Sequence, residues 1–210
     1  MSGRKEKIME AAKEAFPEQF EKSSAETTRR CEEKSSEMAE GFLRAFEKAA
    51  EQAICGKKAD SGSEVRYLLF SWLHSSIFLK RYLIRIDLMG QGFYNEPPLA
   101  ISYWDAGEIY FLFEKDIEEI SGKVRKKVPR IRRYEGDYMR YAYAPYYHRM
   151  TKGFIREMME EILADGQEPG RDGVGEKEVR ILFGEYMGEA DILFNIGKER
   201  IYEVFQDICR

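Results

Sequence analysis

The chain has 210 residues, with 38 acidic and 34 basic side chains, a formal charge of −4 and a pI near 5.5. That length suffices for a domain with its own core, and the acidic balance gives no overall basic footprint for nucleic acid or anionic membrane. Cys31, Cys55 and Cys209 are odd in number and far apart in sequence, which argues against a disulfide framework or a zinc knuckle and for a reducing, cytoplasmic setting.

Met1 to Lys7 is charged and leads into Glu10, Lys13 and Glu14 rather than an apolar stretch, so no secretory signal is expected. From Arg4 to about Cys55 the chain is rich in Glu, Lys, Ala and Ser, which predicts a short helix, an interruption at Pro17, and a long helix. Met38, Phe42, Phe46, Ala49, Ala50, Ala53 and Ile54 recur at the spacing of one helix face, so this part should dock on a core. Glu21 to Glu37 reads as a solvated charged helix. Gly56 is a stop signal and Lys57 to Gly62 a polar connector. The composition therefore divides a helical N-terminal arm, residues 1–57, from a core domain, residues 58–210. Self-association, if present, is expected through the arm.

Val65 to Leu79 is apolar over most of a helix's girth and predicts a central helix; with Arg66 and His74 inside about 15 residues, it is too short and too polar to span a membrane. No membrane partner is expected. Tyr82 to Met89 alternates as a strand does. Leu99 to Trp104 and Glu108 to Phe113 flank Asp105-Ala106-Gly107, predicting a hairpin with Gly107 in the left-handed region. Lys115 to Val128 predicts a helix ended by Pro129, and Gly136 to Ala164 another, bent at Pro145. Asp165 to Lys177, with four glycines and a proline, reads as a flexible loop. Val179 to Phe183 and Asp191 to Ile196 predict strands, and Lys198 to Ile208 a closing helix. The expected fold is α+β, an antiparallel sheet packed by helices.

Catalytic signatures are sparse. The two histidines, His74 and His148, sit in no metal-binding spacing, and neither a phosphate loop nor a G-x-S-x-G elbow occurs. Ser71, His74 and Ser75 would share a face of the central helix, without the orienting acid that nucleophilic catalysis needs. Glu157, Glu160 and Glu161 read as an exposed helix face. Asp165 to Glu176 imitates a calcium loop at its first, sixth and twelfth positions but breaks it at Pro169 and Asp172. The glycines of Gly170 to Gly175 precede a strand, where a dinucleotide fold places them after one. No cofactor is indicated.

The distinctive feature is a charge asymmetry: Lys123 to Arg156 carries +9, the rest of the chain −13, and the stretch is rich in tyrosine. Guanidinium groups grip phosphate or carboxylate in a two-pronged fashion, while phenol rings add a stacking face and a hydroxyl. Arg130, Arg132, Arg133, Tyr138, Arg140, His148, Arg149 and Lys152 are the candidate ligand-binding residues. The expected function is non-enzymatic binding or regulation, holding an anionic small molecule or an acidic protein surface. Two alternatives stand beside it: a nucleic-acid-binding module, and an enzyme that uses Tyr, Arg and His148 on an anionic substrate. Against all three stands a purely structural use, in which the tyrosines pack the core and the cations pair with the acidic arm or with Glu157 to Glu161.

Overall fold

The computed structural model describes residues 3–56, 64–164 and 178–209; the expected connector Lys57 to Gly62 and loop Asp165 to Lys177 lie outside them. The chain is α+β, with six helices and a five-stranded, mostly antiparallel sheet among the described residues. It forms two compact units that do not follow chain order. One gathers Met1–Met38, His74–Tyr82 and Ala106–Thr151; the other gathers Ala39–Leu73, Leu83–Asp105 and Lys152–Arg210.

The first unit is helical. Helix α1 (Arg4–Glu33) runs through Pro17 and gives way at Lys34 to α2 (Ser35–Gly56), so the expected break falls 17 residues later than the proline signal. An interior proline costs about 3 kcal/mol, and burial on both sides of Pro17 offsets it. Ile8, Ala12 and Phe16 precede it and Gln19, Ser23 and Thr27 follow, all nearly inaccessible to solvent. The second half of that stripe is polar, which is why Glu21 to Glu37 carries no apolar signal in the sequence.

Opposite α1 lies α4 (Phe113–Lys127), which buries Phe113, Asp116, Ile117, Ile120 and Val124. A third helix, α5 (Arg133–Ala164), runs through Pro145 and belongs to this unit as far as Thr151. Asp116 is the polar centre. One carboxylate oxygen accepts hydrogen bonds from Gln19 Nε2 and the Ser23 hydroxyl, the other from the Tyr143 and Tyr147 hydroxyls at 2.8 and 2.7 Å. Burial, reinforced by the Asp116 charge, raises both phenols far above their ordinary range, so they remain donors. Rings close around them: Phe16 lies 5.2 Å from Tyr143, and Phe20 5.8 Å from Tyr147.

In the second unit the sheet runs β3-β2-β1-β4-β5, with β1 (Tyr67–Trp72), β2 (Leu83–Met89), β3 (Ala100–Asp105), β4 (Glu178–Glu185) and β5 (Ala190–Gly197). All neighbours are antiparallel except β1 and β4. Two expectations are corrected here. The supposed central helix Val65 to Leu79 is the central strand β1 followed by α3 (His74–Phe78). Leu68 to Ser71 are buried without alternation, as a strand covered on both faces requires, and that pattern resembles an all-round apolar helix in sequence. Ser71 and His74 therefore do not share a helix face.

The second arm of the expected hairpin, Glu108 to Phe113, is not a strand either. Ile109 and Tyr110 donate to the carbonyls of Ala106 and Gly107 in successive turns that lead into α4. Ile109, Tyr110 and Phe113 are buried while Phe111 is exposed, a helical spacing rather than alternation.

Helix α2, from Ala39 on, packs the sheet with the residues its periodicity names. The Phe42 ring meets Phe70 at 5.6 Å and stands edge-on to Trp104 at 5.5 Å, and Trp104 stacks on Phe154 at 5.0 Å. Helix α6 (Lys198–Ile208) adds Phe205 against Phe46. The fully buried Asp87 is held by Arg85, whose guanidinium also covers the Tyr186 ring at 4.5 Å. No helix among the described residues is long and apolar enough to cross a membrane.

Gly184 marks a tight approach between β4 and β5. A β-carbon there would lie 2.2 Å from the Glu189 carbonyl oxygen and 2.4 Å from the Ala190 α-carbon, both backbone atoms. Gly184→Ala should therefore cost about 1–3 kcal/mol or more, as overpacking does. A urea midpoint equal to that of the parent would show that the hairpin yields without strain.

Candidate functional site

The basic, tyrosine-rich segment begins in the last turn of α4, crosses the short connector to α5, and continues along α5. Its residues separate into three groups by environment.

Lys123 and Lys127 pair with Glu18 and Glu14 of α1, and Lys152, in the sheet-containing unit, pairs with Asp191 at 2.8 Å. Arg156 pairs with Glu160 one turn on. Lys123 and Lys127 reach the acidic arm and Arg156 pairs inside Glu157 to Glu161, as the structural alternative expects, whereas Lys152 finds its acid on β5.

Arg140 and His148 belong to the buried stripe of α5. The Arg140 guanidinium grips Glu114 with two nitrogens, and Lys80 and the Tyr82 hydroxyl reach the same carboxylate at 2.7 and 2.5 Å. Burial alone would raise the Glu114 carboxyl; the hydrogen bonds from Arg140, Lys80 and Tyr82 outweigh it and hold it at about 2. The same carboxylate keeps Arg140 charged against its burial. His148 lies beside Tyr110, ring centres 6.3 Å apart, and burial, with a smaller contribution from His74, pulls its imidazole down to about 3. It is neutral at physiological pH. Tyr138 is half-buried, with the Lys5 ammonium 4.4 Å above its ring.

The third group is exposed. Arg125, Lys126, Arg130 and Arg133 make no ion pair among the described residues, and Arg132 reaches only the Tyr134 hydroxyl, at 3.4 Å. Arg149 is exposed too, lying over the Tyr146 ring at 5.0 Å. The connector is pinned from beneath. Arg4 donates to the carbonyls of Pro129 and Arg130 at 3.2 and 2.8 Å and to both oxygens of Glu135, and Glu135 accepts the Arg132 backbone N–H at 2.7 Å. Those bonds, the one from Arg4 foremost, hold the Glu135 carboxyl below its ordinary range. Arg130 sits at a φ of 57°, a left-handed conformation that costs an L-residue energy and is sustained by this frame.

Helix electrostatics distinguish the two ends of the patch. Arg125 and Lys126 lie in the last turn of α4, where cations are favoured by the helix dipole. Arg132 immediately precedes α5 and Arg133 is its first residue, where the dipole disfavours cations by about 0.3–1 kcal/mol each. Helix stability accounts for the first pair and not for the second.

No family model, curated protein or solved structure matches the chain. The geometry alone bears on its function.

Of the eight candidate residues, Arg130, Arg132 and Arg133 lie together on the connector. Arg140 and His148 are turned into the core, Tyr138 lies under Lys5, Arg149 stands apart on α5, and Lys152 belongs to the other unit. Tyr134, exposed over half its surface beside Arg132, belongs with the connector although the sequence reading did not choose it. So do Arg125 and Lys126, and Arg4 as the residue that fixes the backbone. Position in the basic run was the only sequence signal for Tyr134; nothing marked Arg4. No group of three His, Cys, Asp or Glu side chains suited to a metal occurs among the described residues.

Proposed function

We propose that the protein is a non-enzymatic binding or regulatory protein, working in the reducing cytoplasm, that holds an anionic partner on the α4–α5 connector. Arg125, Lys126, Arg130, Arg132 and Arg133 supply the contacts. The observation that carries this reading is that these cations are exposed and make no side-chain ion pair among the described residues, two of them placed against the dipole of α5. A pre-formed connector supports it further, because a backbone already fixed by Arg4 and Glu135 loses little entropy on binding. The free thiol of Cys31 is compatible with a reducing setting. The enzymatic alternative draws less support, since Arg140 is engaged by Glu114 and His148 is buried and neutral.

Arg132→Glu together with Arg133→Glu tests the reading. The change should weaken binding to a polyanion such as heparin at least tenfold at low salt, chiefly through loss of charge complementarity. Stability should stay within about 0.5 kcal/mol of the parent, since both side chains are exposed and acids are favoured at a helix N-terminus. A variant that keeps its fold and binds heparin as the parent does would remove the connector from function.

A further inference from the structure

We infer that the anionic partner is single-stranded nucleic acid, and that Tyr134 is the ring on which an unpaired base stacks; this rests on the connector reading above and narrows it. Tyr134 is the second residue of α5, next to Arg133, and half its surface is open to solvent. The ring does not hang free. Its hydroxyl meets a guanidinium nitrogen of Arg132, and Tyr138 packs against it at 6.2 Å with the ring planes at 79°. Tyr138 is steadied in turn by Lys5. A flat aromatic surface is thus held out in water beside Arg132 and Arg133, on a connector segment that carries three further exposed cations.

An acidic protein surface would use the cations but gain little from the ring. A duplex keeps its bases stacked inward, beyond the reach of a phenol on a helix end. Unpaired bases offer π-faces in step with a phosphate backbone, and cations interleaved with an exposed aromatic ring are the arrangement that such a strand fits. No acid occurs in the sequence from Ser121 to Tyr134. The first that follows, Glu135, is buried and neutralised by Arg4, so a phosphate approaching the connector meets no exposed carboxylate in that stretch.

The test is fluorescence anisotropy with a labelled oligothymidylate of about 16 nucleotides, against heparin and a duplex of equal length, over a salt series. The parent should bind the single strand more tightly than the duplex, with a slope of log affinity on log salt of about −3.5, as about five neutralised phosphates give. Tyr134→Ala should weaken the single strand about tenfold without altering that slope or heparin binding, and Tyr134→Phe should restore it because the ring remains. Arg132→Glu with Arg133→Glu should weaken every polyanion and flatten the slope. If Tyr134→Ala binds the single strand as the parent does, or if duplex and heparin bind as tightly as the strand, the stacking inference fails while the connector reading survives. If the parent binds no polyanion at all, both fail.

Discussion

Asp116→Ala should lower the stability of the protein by about 3–5 kcal/mol, more than any exposed substitution, because it removes the acceptor shared by four buried donors. Gln19 Nε2, Ser23 Oγ and the hydroxyls of Tyr143 and Tyr147 all point at this carboxylate, and none of these side chains reaches bulk water. Leaving one buried donor unpaired costs about 1–3 kcal/mol. The hydroxyls can rotate toward other acceptors and recover part of that cost; the Gln19 amide cannot.

Asp116→Asn should cost less than Asp116→Ala, since an amide oxygen still accepts from one side while its NH2 group faces donors on the other. Tyr143→Phe and Tyr147→Phe should each cost about 1–2 kcal/mol, and less when made in the Asp116→Ala background, because the three side chains act as one network. The measurement is urea unfolding followed by near-ultraviolet circular dichroism, which reports the packing of the tyrosines and tryptophans. If Asp116→Ala melts within 1 kcal/mol of the parent, the carboxylate is not what ties α1, α4 and α5 together.

The network also shows where the sequence was legible. Helix α6 has the bounds its periodicity implies, and the buried face of α2 is the stripe Met38, Phe42, Phe46, Ala49, Ala50 and Ala53. The expected strands at β2, β4 and β5 lie within a residue or two of the observed ones. Helices α2 and α6 each have one wet and one dry side, so the hydrophobic pattern carries their period, and β2 and β4 alternate at their starts, where Ile84 and Val179 are buried between half-buried neighbours. Strand β1 lies in mid-sheet and is dry on both sides, so its pattern lost the period. Segment 107–112 alternates by accident of composition, and α1 buries Gln19, Ser23 and Thr27 where a hydrophobic scan sees only a polar face.

At the candidate site, the excess of positive charge was visible but its division was not. Lys123 and Lys127 find their acids 105 and 113 positions away, on α1, whereas Arg130 and Arg133 find none among the described residues. Pairing at that range depends on how helices dock, which no local pattern records. The burial of Arg140 and His148 follows the same rule: both sit on the face of α5 that also carries Tyr143 and Tyr147, and only the docked α4 decides that this face is the inner one.

That burial makes the protein acid-labile in a defined window. The His148 imidazole, ordinarily near 6.5, is pulled to about 3 by burial and by the charge of His74. A base depressed in the folded state contributes stability that is fully present above 6.5 and is lost as pH falls toward 3, by up to about 1.4 kcal/mol per pH unit. Glu114 acts in the same direction at lower pH. Its carboxyl is held at about 2, so its contribution is complete above 4.5 and is lost as pH falls toward 2; partial exposure to solvent limits it to roughly 1 kcal/mol. Between pH 7 and 5, therefore, stability should fall by about 2 kcal/mol through His148 alone, and more steeply below 4.5, where Lys80, Tyr82 and Arg140 begin to lose the charge they share. Urea midpoints at half-unit intervals from pH 7 to 4 measure this. His148→Phe keeps a ring beside Tyr110 but cannot titrate, so whatever its stability at pH 7, its curve should be nearly flat between 7 and 5. A parent protein equally stable at pH 7 and 5, or a His148→Phe variant with the slope intact, would mean that the imidazole reaches solvent in the folded state and that the buried face of α5 is less closed than these contacts imply.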